Sequence, residues 1–252
     1  PAAVVNFQHR LPADETLAEA IIAYEFFMRY YVLGLRFANS PYAFHSIGSA
    51  MICRAEDYIK CGGMREKNGG EDFYFMEALR KIGKIGFIDK TCVYPDGRLS
   101  DRVAFGTGPK LQKIISGEKQ NFYCFRIFEE LKKLLNIVKE EMSENLLQSF
   151  EKQLLPETIA FLQAENFPNA WRNIYLNFKK RPEALQQAFH TWFDGLKTLK
   201  FCHYLENNNP ELQRIKLNDA YENIQKIYKC QNIIENDPLN KLEELRNIDR
   251  KS

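Results

Sequence analysis

The stretch "NGGEDFYFMEALRKIGKIGF" at residues 68–87 decides how the first part of the chain folds. Two glycines, Gly69 and Gly70, precede two carboxylates, Glu71 and Asp72, which suit a first helical turn because exposed N–H groups and the helix dipole favour negative charge. One apolar stripe follows, formed by Phe75, Met76, Leu79 and Ile82. The spacing predicts a helix over residues 71–82, and "IGFIDKTCVYP" at residues 85–95 predicts a strand.

Short stretches of sequence also predict the strands and helices that precede this helix. Residues 3–9 are predicted to form a strand, and residues 14–37 a helix with Asp14 as its N-cap. "AMICR" at residues 50–54 is typical of a short strand. "AEDYIKCGG" at residues 55–63 predicts a short helix that ends at its two glycines.

The longest apolar stretch, residues 20–38, has two interpretations. It contains Glu25, Arg29 and Arg36, so it falls short of a membrane-spanning helix. The first interpretation is an amphipathic helix packed in the core. The second is a helix that lies on a membrane surface with its arginines on lipid headgroups.

The character of the sequence changes near residue 110, and helical patterns continue from there to the end. Apolar and charged residues alternate with helical spacing over residues 121–142. Further amphipathic segments lie at about residues 144–165, 168–180, 182–206, 210–230 and 238–249, several of them beginning near a proline. The sequence therefore predicts an α/β part over residues 1–108 and an all-α C-terminal domain over residues 110–252.

Composition narrows the classes of function. The 252 residues carry a net charge of +2, so no global field favours nucleic acid or an acidic partner. The six cysteines are scattered without a C-x-x-C pair, which indicates reduced thiols in a cytosolic protein. With four histidines and no H-x-x-x-H pair, a metal site built from this chain's Cys and His is not expected.

Residues 48–64, "GSAMICRAEDYIKCGGM", followed by residues 68–87, resemble the C-terminal half of the family-2 glycosyltransferases with the GT-A fold. In that family a small-residue strand, a short helix and a glycine turn precede an acidic pair that opens a helix, and a strand follows. "YPDGRLSDRVAFGTG" at residues 94–108 is similar to a loop of a bacterial subgroup. The resemblance covers residues 1–108 and implies part of a GT-A-like mixed sheet with helices.

The resemblance implies transfer of a sugar from a nucleotide-sugar donor to an acceptor hydroxyl, with inversion at the anomeric carbon. By motif position Asp72 is the general base, and a helix N-terminus is expected to keep its pKa low. Glu71 is expected to orient the acceptor or to cap the helix. Gly69 and Gly70 are expected to let substrate approach the backbone closely.

Four further residues are candidate substrate contacts. His45, Arg98 and Arg102 are candidates for contacting the leaving diphosphate, and His9 lies at a strand end, where clefts of α/β sheets open. The first three have a structural alternative: a packed histidine for His45, and a solvated loop with an internal pair to Asp101 for the arginines.

A divalent metal, Mg²⁺ or Mn²⁺, is expected in the full-length enzyme, because the family commonly holds it on a D-x-D motif. No D-x-D occurs in this chain. We therefore expect the nucleotide-binding half to precede Pro1, this chain alone to bind no metal, and residues 1–252 alone to transfer no sugar.

The partners implied are a nucleotide-sugar and a sugar or lipid-linked acceptor, and no nucleic acid. The implied location is cytoplasmic, with peripheral membrane contact and homo-oligomers left open. The alternative hypothesis is a non-catalytic helical interaction module attached to a degenerate transferase remnant.

Overall fold

A computed structural model describes residues 1–66, 69–99, 106–229 and 237–251. The chain is mostly helical with a small mixed sheet, as the coarse prediction of an α/β part and a helical part requires. Contacts divide it into two compact units. Unit 1 comprises Pro1–Leu33, Phe44–Phe122 and Lys216–Ser252, and unit 2 comprises Gly34–Ala43 and Tyr123–Ile215.

This division differs from the predicted boundary near residue 109. Residues 216–252, which the sequence pattern assigns to the helical domain, belong to the same unit as the sheet. The reason is a set of buried ion pairs between distant parts of the chain, which a pattern of local periodicity does not contain.

The sheet of unit 1 has three strands in the order β2-β1-β3. They are β1 (Ala2–Phe7), β2 (Met51–Cys53) and β3 (Ile85–Val93). β1 runs antiparallel to β2 and parallel to β3, with Val4 opposite both Met51 and Phe87. The register between β1 and β3 shifts after Val5.

The first three helices of unit 1 begin where the sequence predicts. The first, α1 (Glu15–Phe37), is capped by Asp14, whose Oδ1 accepts a hydrogen bond of 2.8 Å from the Leu17 amide. Its last residues fall in unit 2. The others are α2 (Ala55–Lys60), α3 (Glu71–Ile82) and α4 (Thr107–Ile115).

The stripe on α3 packs against the sheet. Phe75, Met76 and Leu79 form a core cluster with Val4 of β1. Ile82, which the pattern assigns to the same stripe, is 44% exposed because the helix ends there at Gly83. This packing places the first turn of α3, with its acidic pair, at a fixed position beside the sheet.

The core interpretation of residues 20–38 is confirmed. Ala20, Ile21, Phe26 and Tyr30 of α1 are buried. Arg29 is fully buried, so it does not present its charge on a surface, as contact with headgroups requires. Among the described residues, no helix combines the length and the apolar character that crossing a membrane demands.

Unit 2 consists of helices around an aromatic core. In chain order they are α5 (Phe125–Glu140), α6 (Leu146–Gln153), α7 (Pro156–Ala164), α8 (Phe167–Phe178), α9 (Pro182–Trp192) and α10 (Gly195–Asn208). Two predicted segments, 144–165 and 182–206, each contain two helices. Pro156 starts α7, and Asp194 starts α10 by accepting a hydrogen bond of 3.1 Å from the Lys197 amide.

Two more helices follow in unit 1, α11 (Leu217–Tyr228) and α12 (Pro238–Lys251). Both are amphipathic, but α12 also buries charged side chains, namely Lys241, Arg246 and Asp249. Buried charges need partners. The partner of Arg246 lies on α1, and a partner of Asp249 lies directly after Phe44, in the loop between α1 and β2.

Candidate functional site

The backbone conformation before α3 explains why the motif has two glycines there. Gly69 has φ 131° and Gly70 has φ 68°, both in the region that favours glycine. Gly70 precedes the first helical residue, so the chain enters α3 through a left-handed turn. This geometry gives Gly69 and Gly70 a structural role, whether or not substrate also approaches them, and it sets the direction of Glu71 and Asp72.

Asp72 is half-buried, and a backbone amide holds its carboxylate. Its Oδ1 accepts a hydrogen bond of 2.7 Å from the Phe73 amide, and the nearby Gly48 amide favours its charged form. Gly48 starts a 3₁₀ turn, Gly48–Ala50, and a Cβ added there would lie 3.8 Å from Asp72 Oδ2. The acidic side chain therefore faces the segment that leads into β2.

The expected low pKa of Asp72 is wrong in direction. Burial raises the pKa of Asp72, and the neighbouring charge of Glu71 raises it further, while the amides of Phe73 and Gly48 oppose the shift. The helix-dipole argument considers only the local backbone. Loss of water around the carboxylate outweighs it here.

Tyr24 of α1 lies within electrostatic range of Asp72. Burial raises the pKa of the Tyr24 hydroxyl, the Thr107 side chain of α4 opposes that shift, and the Asp72 charge adds to it. Sequence reasoning missed both residues. Tyr24 lies in an ordinary amphipathic pattern, and Thr107 lies in a Gly-Thr-Gly run too short to indicate a site.

The side chains of Glu71 and Asp72 face different parts of the structure. Glu71 lines a cavity of about 200 Å³ together with Arg65, Tyr74 and Lys81, and Asp72 does not line this cavity. The adjacent carboxylates are therefore separated by the turn of the helix, one toward the cavity and one toward Gly48. This arrangement fits two different roles for the pair.

His9 and His45 are buried and contact carboxylates of the same chain. His9 Nδ1 lies 3.0 Å from Glu25 Oε2, and His45 Nε2 lies 2.9 Å from Asp249 Oδ2. Their side chains are only 3% exposed. This placement disagrees with their predicted role as substrate contacts and matches the packed-histidine alternative for His45.

These histidines belong to what we call the buried charge cluster: His9, Glu25, Arg29, His45, Arg246 and Asp249. Arg29 Nε donates to Glu25 Oε1 at 2.8 Å, and its other nitrogens donate to Asp249 and to the Phe7 carbonyl. Arg246 holds both Glu25 oxygens, at 2.8 Å and 2.7 Å. The cluster joins β1, α1 and α12.

The arginine predictions have mixed outcomes. Arg98 is exposed, as a contact with a diphosphate requires, but nothing in its surroundings tests that role. Arg102 and Asp101 lie outside the described residues. Nearby, Asp96 pairs with Arg10 at 3.6 Å, with both side chains largely exposed.

The described residues do not fit a metal site. Within them, no group of three or more His, Cys, Asp and Glu side chains is arranged to hold an ion. The cysteines that the structure describes, five of the six, are free thiols.

The chain was compared with protein-family models, with curated proteins and with solved structures, and none of the three comparisons found a match. The site itself is a half-buried carboxylate with a raised pKa, which accepts a hydrogen bond from a backbone amide and lies beside a second carboxylate that lines a small cavity.

Proposed function

We propose that this chain is the acceptor side of a family-2 glycosyltransferase, with Asp72 as the general base. The observation that carries the proposal is the environment of Asp72: its place in the first turn of a helix, an amide hydrogen bond from Phe73 to its carboxylate, and a pKa raised by burial. A base works best when its pKa approaches the operating pH. The raised pKa of Asp72 therefore suits proton abstraction better than the low pKa expected from the dipole.

The proposed reaction is an inverting displacement. The acceptor oxygen forms a bond to the anomeric carbon of the donor while the bond from that carbon to the diphosphate oxygen breaks. The hydroxyl proton passes to the Asp72 carboxylate, and the nucleoside diphosphate leaves from the opposite face with the bonding electron pair.

Glu71 has the second role in the proposal. It lines the 200 Å³ cavity with Tyr74 and Arg65, which supply an aromatic face and a hydrogen-bond donor for a sugar hydroxyl. We assign Glu71 to orientation of the acceptor. Replacement by Gln is expected to raise KM for the acceptor more than it lowers kcat.

The test uses the whole protein as it occurs in its source cells. Nucleotide-sugars are screened by release of nucleoside diphosphate, and the best donor is then used to compare the wild type with Asp72→Asn. Asn keeps the shape but cannot accept the proton, so turnover is expected to fall by about 10²–10⁴-fold while donor binding persists.

The matched control is Asp89→Asn, the same chemical change at an exposed position of β3. It is expected to leave turnover within about twofold of the wild type, since surface changes away from a site have small effects. Equal turnover in Asp72→Asn and Asp89→Asn would refute the assignment of the base. The search would then turn to binding partners of the helical part, as the alternative hypothesis requires.

A further inference from the structure

The outer face of α8 in unit 2 carries positive charge and no negative charge. Residues 166–182, which include this helix and the turn after it, contain no Asp or Glu. Their four basic side chains are exposed and form no ion pair with any described residue: Arg172, Lys179, Lys180 and Arg181. Glu165, just before this stretch, is bound to Lys197 at 3.4 Å and to Lys200 at 3.3 Å. The four cations are therefore available to an anionic partner.

An exposed leucine lies among these cations. Leu176 is 53% exposed, and in unit 2, every residue of which the structure describes, no other large apolar side chain is as exposed. Arg172, Leu176 and Lys179 follow one another at spacings of four and three residues, which places them on one side of the helix. The other exposed side chains of α8 are uncharged, namely Pro168, Asn169, Asn173 and Asn177.

Aromatic rings lie beside two of the cations. The Lys179 ammonium is 6.0 Å from the centre of the Tyr175 ring, and the Arg181 guanidinium is 5.3 Å from the centre of the Phe178 ring. Both rings are partly exposed. Aromatic and basic residues beside an exposed apolar side chain are typical of protein surfaces that meet the headgroup region of a membrane.

The helix dipole explains only part of this pattern. Cations are favoured at the C-terminal end of a helix, which accounts for Lys179 and the two basic residues after it. Neither the position of Arg172 in the middle of α8 nor the exposure of Leu176 follows from the dipole. A partner outside the chain, with negative charge and an apolar layer, accounts for both.

We propose that the α8 cationic face, formed by Arg172, Leu176, Lys179, Lys180 and Arg181, binds the surface of an anionic phospholipid membrane. The cations contact lipid phosphates, and Leu176 enters the apolar region just below the headgroups. A nucleic-acid backbone would use the charges but would leave Leu176 in water, and the net charge of +2 supplies no wider field for it. The proposal is independent of sugar transfer.

The experiment measures sedimentation of the full chain with vesicles at low salt. Vesicles of phosphatidylcholine alone are compared with vesicles of phosphatidylcholine and phosphatidylglycerol in equal parts. The wild type is expected to partition onto the anionic vesicles at least about tenfold more strongly than onto the neutral ones. Added salt screens the charges and is expected to release it.

Two pairs of lysine substitutions test whether binding belongs to this face. Lys179→Gln/Lys180→Gln removes two of its charges and is expected to lower the partition coefficient by about 10–30-fold, because each basic residue near an anionic surface contributes severalfold. The matched control is Lys139→Gln/Lys152→Gln, which removes two exposed lysines from α5 and α6. Its partition coefficient is expected to stay within about twofold of the wild type, since neither lysine lies on the face.

Leu176 is tested separately. Leu176→Gln is expected to weaken binding to anionic vesicles by about tenfold, because it removes the apolar side chain that leaves water. Leu176→Trp is expected to keep the binding, and its fluorescence is expected to shift to shorter wavelength when anionic vesicles are added. Both changes fall on the exposed side of α8, and circular dichroism verifies that the variants are folded.

A wild type that does not bind anionic vesicles would overturn the proposal. Equal losses in the two lysine pairs would also overturn it, because net charge without a defined face would then explain the binding. Unchanged binding in Leu176→Gln, with no fluorescence shift in Leu176→Trp, would contradict insertion of Leu176 and overturn it. Tighter binding to a single-stranded oligonucleotide than to vesicles, lost in Lys179→Gln/Lys180→Gln, would assign the face to nucleic acid instead.

Discussion

Replacing Arg246 by Met tests whether the buried charge cluster stabilises unit 1. The guanidinium makes two hydrogen bonds to Glu25, and the Arg246 side chain is 5% exposed, so water cannot replace it without opening the unit. Met fills much of the space of the arginine stem. The change leaves two carboxylates, Glu25 and Asp249, with Arg29 as the remaining cluster arginine.

The expected loss is large because a buried charge is left uncompensated. Breaking such a pair by removing one partner costs on the order of 3–5 kcal/mol of unfolding free energy. Glu243, the other carboxylate bound to Arg246, provides the comparison because its side chain is 47% exposed: Glu243→Gln is expected to cost about 0–1 kcal/mol of unfolding free energy. The two variants alter the same helix and differ mainly in the burial of the removed charge.

The pH dependence has a defined sign. Burial alone would raise the pKa of Glu25, but hydrogen bonds from Arg246 and His9 and the charges of Arg29 and Arg246 hold it well below its usual range. The unfolded chain then binds the proton more readily, so the stability from Glu25 is present above a pH of about 4.3 and is lost below it. Without Arg246 the pKa is less depressed, and the penalty of Arg246→Met is expected to shrink from pH 7 to pH 3.

The assay is native-state hydrogen exchange at the amides of β1. Both tryptophans, Trp171 and Trp192, lie in unit 2, so their fluorescence does not report on the cluster. β1 is the central strand, and its Phe7 carbonyl accepts from Arg29. Exchange is expected to accelerate by about 10²-fold or more in Arg246→Met. A loss below about 1 kcal/mol, or a penalty that grows on acidification, would refute the reasoning.

Three smaller predictions follow from single glycines. Gly48→Pro removes the amide that favours the charged form of Asp72 and is expected to raise the pKa of Asp72 further in carboxyl ¹³C NMR, whereas Gly48→Ala, which keeps the amide, shifts it less; equal shifts in the two variants contradict this. Gly34→Ala places a Cβ 2.6 Å from the Phe128 ring and is expected to cost about 1–3 kcal/mol in urea unfolding followed by tryptophan fluorescence; an unchanged midpoint contradicts this. Gly70→Ala forces a side chain into φ 68° and should cost about 1–2 kcal/mol by hydrogen exchange in α3, whereas equal protection would argue against strain.

Short sequence patterns predicted the starts of helices well. Asp14 caps α1 as expected, and the motif at residues 69–72 starts α3 at Glu71. Caps, glycines and apolar stripes act over a few residues, so they can be recognised without knowledge of the rest of the chain. The GT-A resemblance and the transferase activity stay predictions.

Long-range features could not be predicted in the same way. Arg29 and Arg246 look like members of solvated helix faces, and only the fold brings them together on Glu25. The same applies to Asp72, whose pKa is set by burial against residues from other elements and not by its own helix. Burial of a charge is a tertiary property, and a single sequence without contacts does not contain it.

The discontinuity of unit 1 has a consequence for the order of events during synthesis. Residues 123–215 leave the ribosome before α12 is made, so unit 2 can form its aromatic core while Glu25 and Arg29 still lack Arg246 and Asp249. β1 and α1 therefore stay partly paired while more than two hundred residues that follow them are translated. We expect a nascent chain stalled before residue 246 to expose β1 and α1 to chaperones, although these elements are far from its growing end.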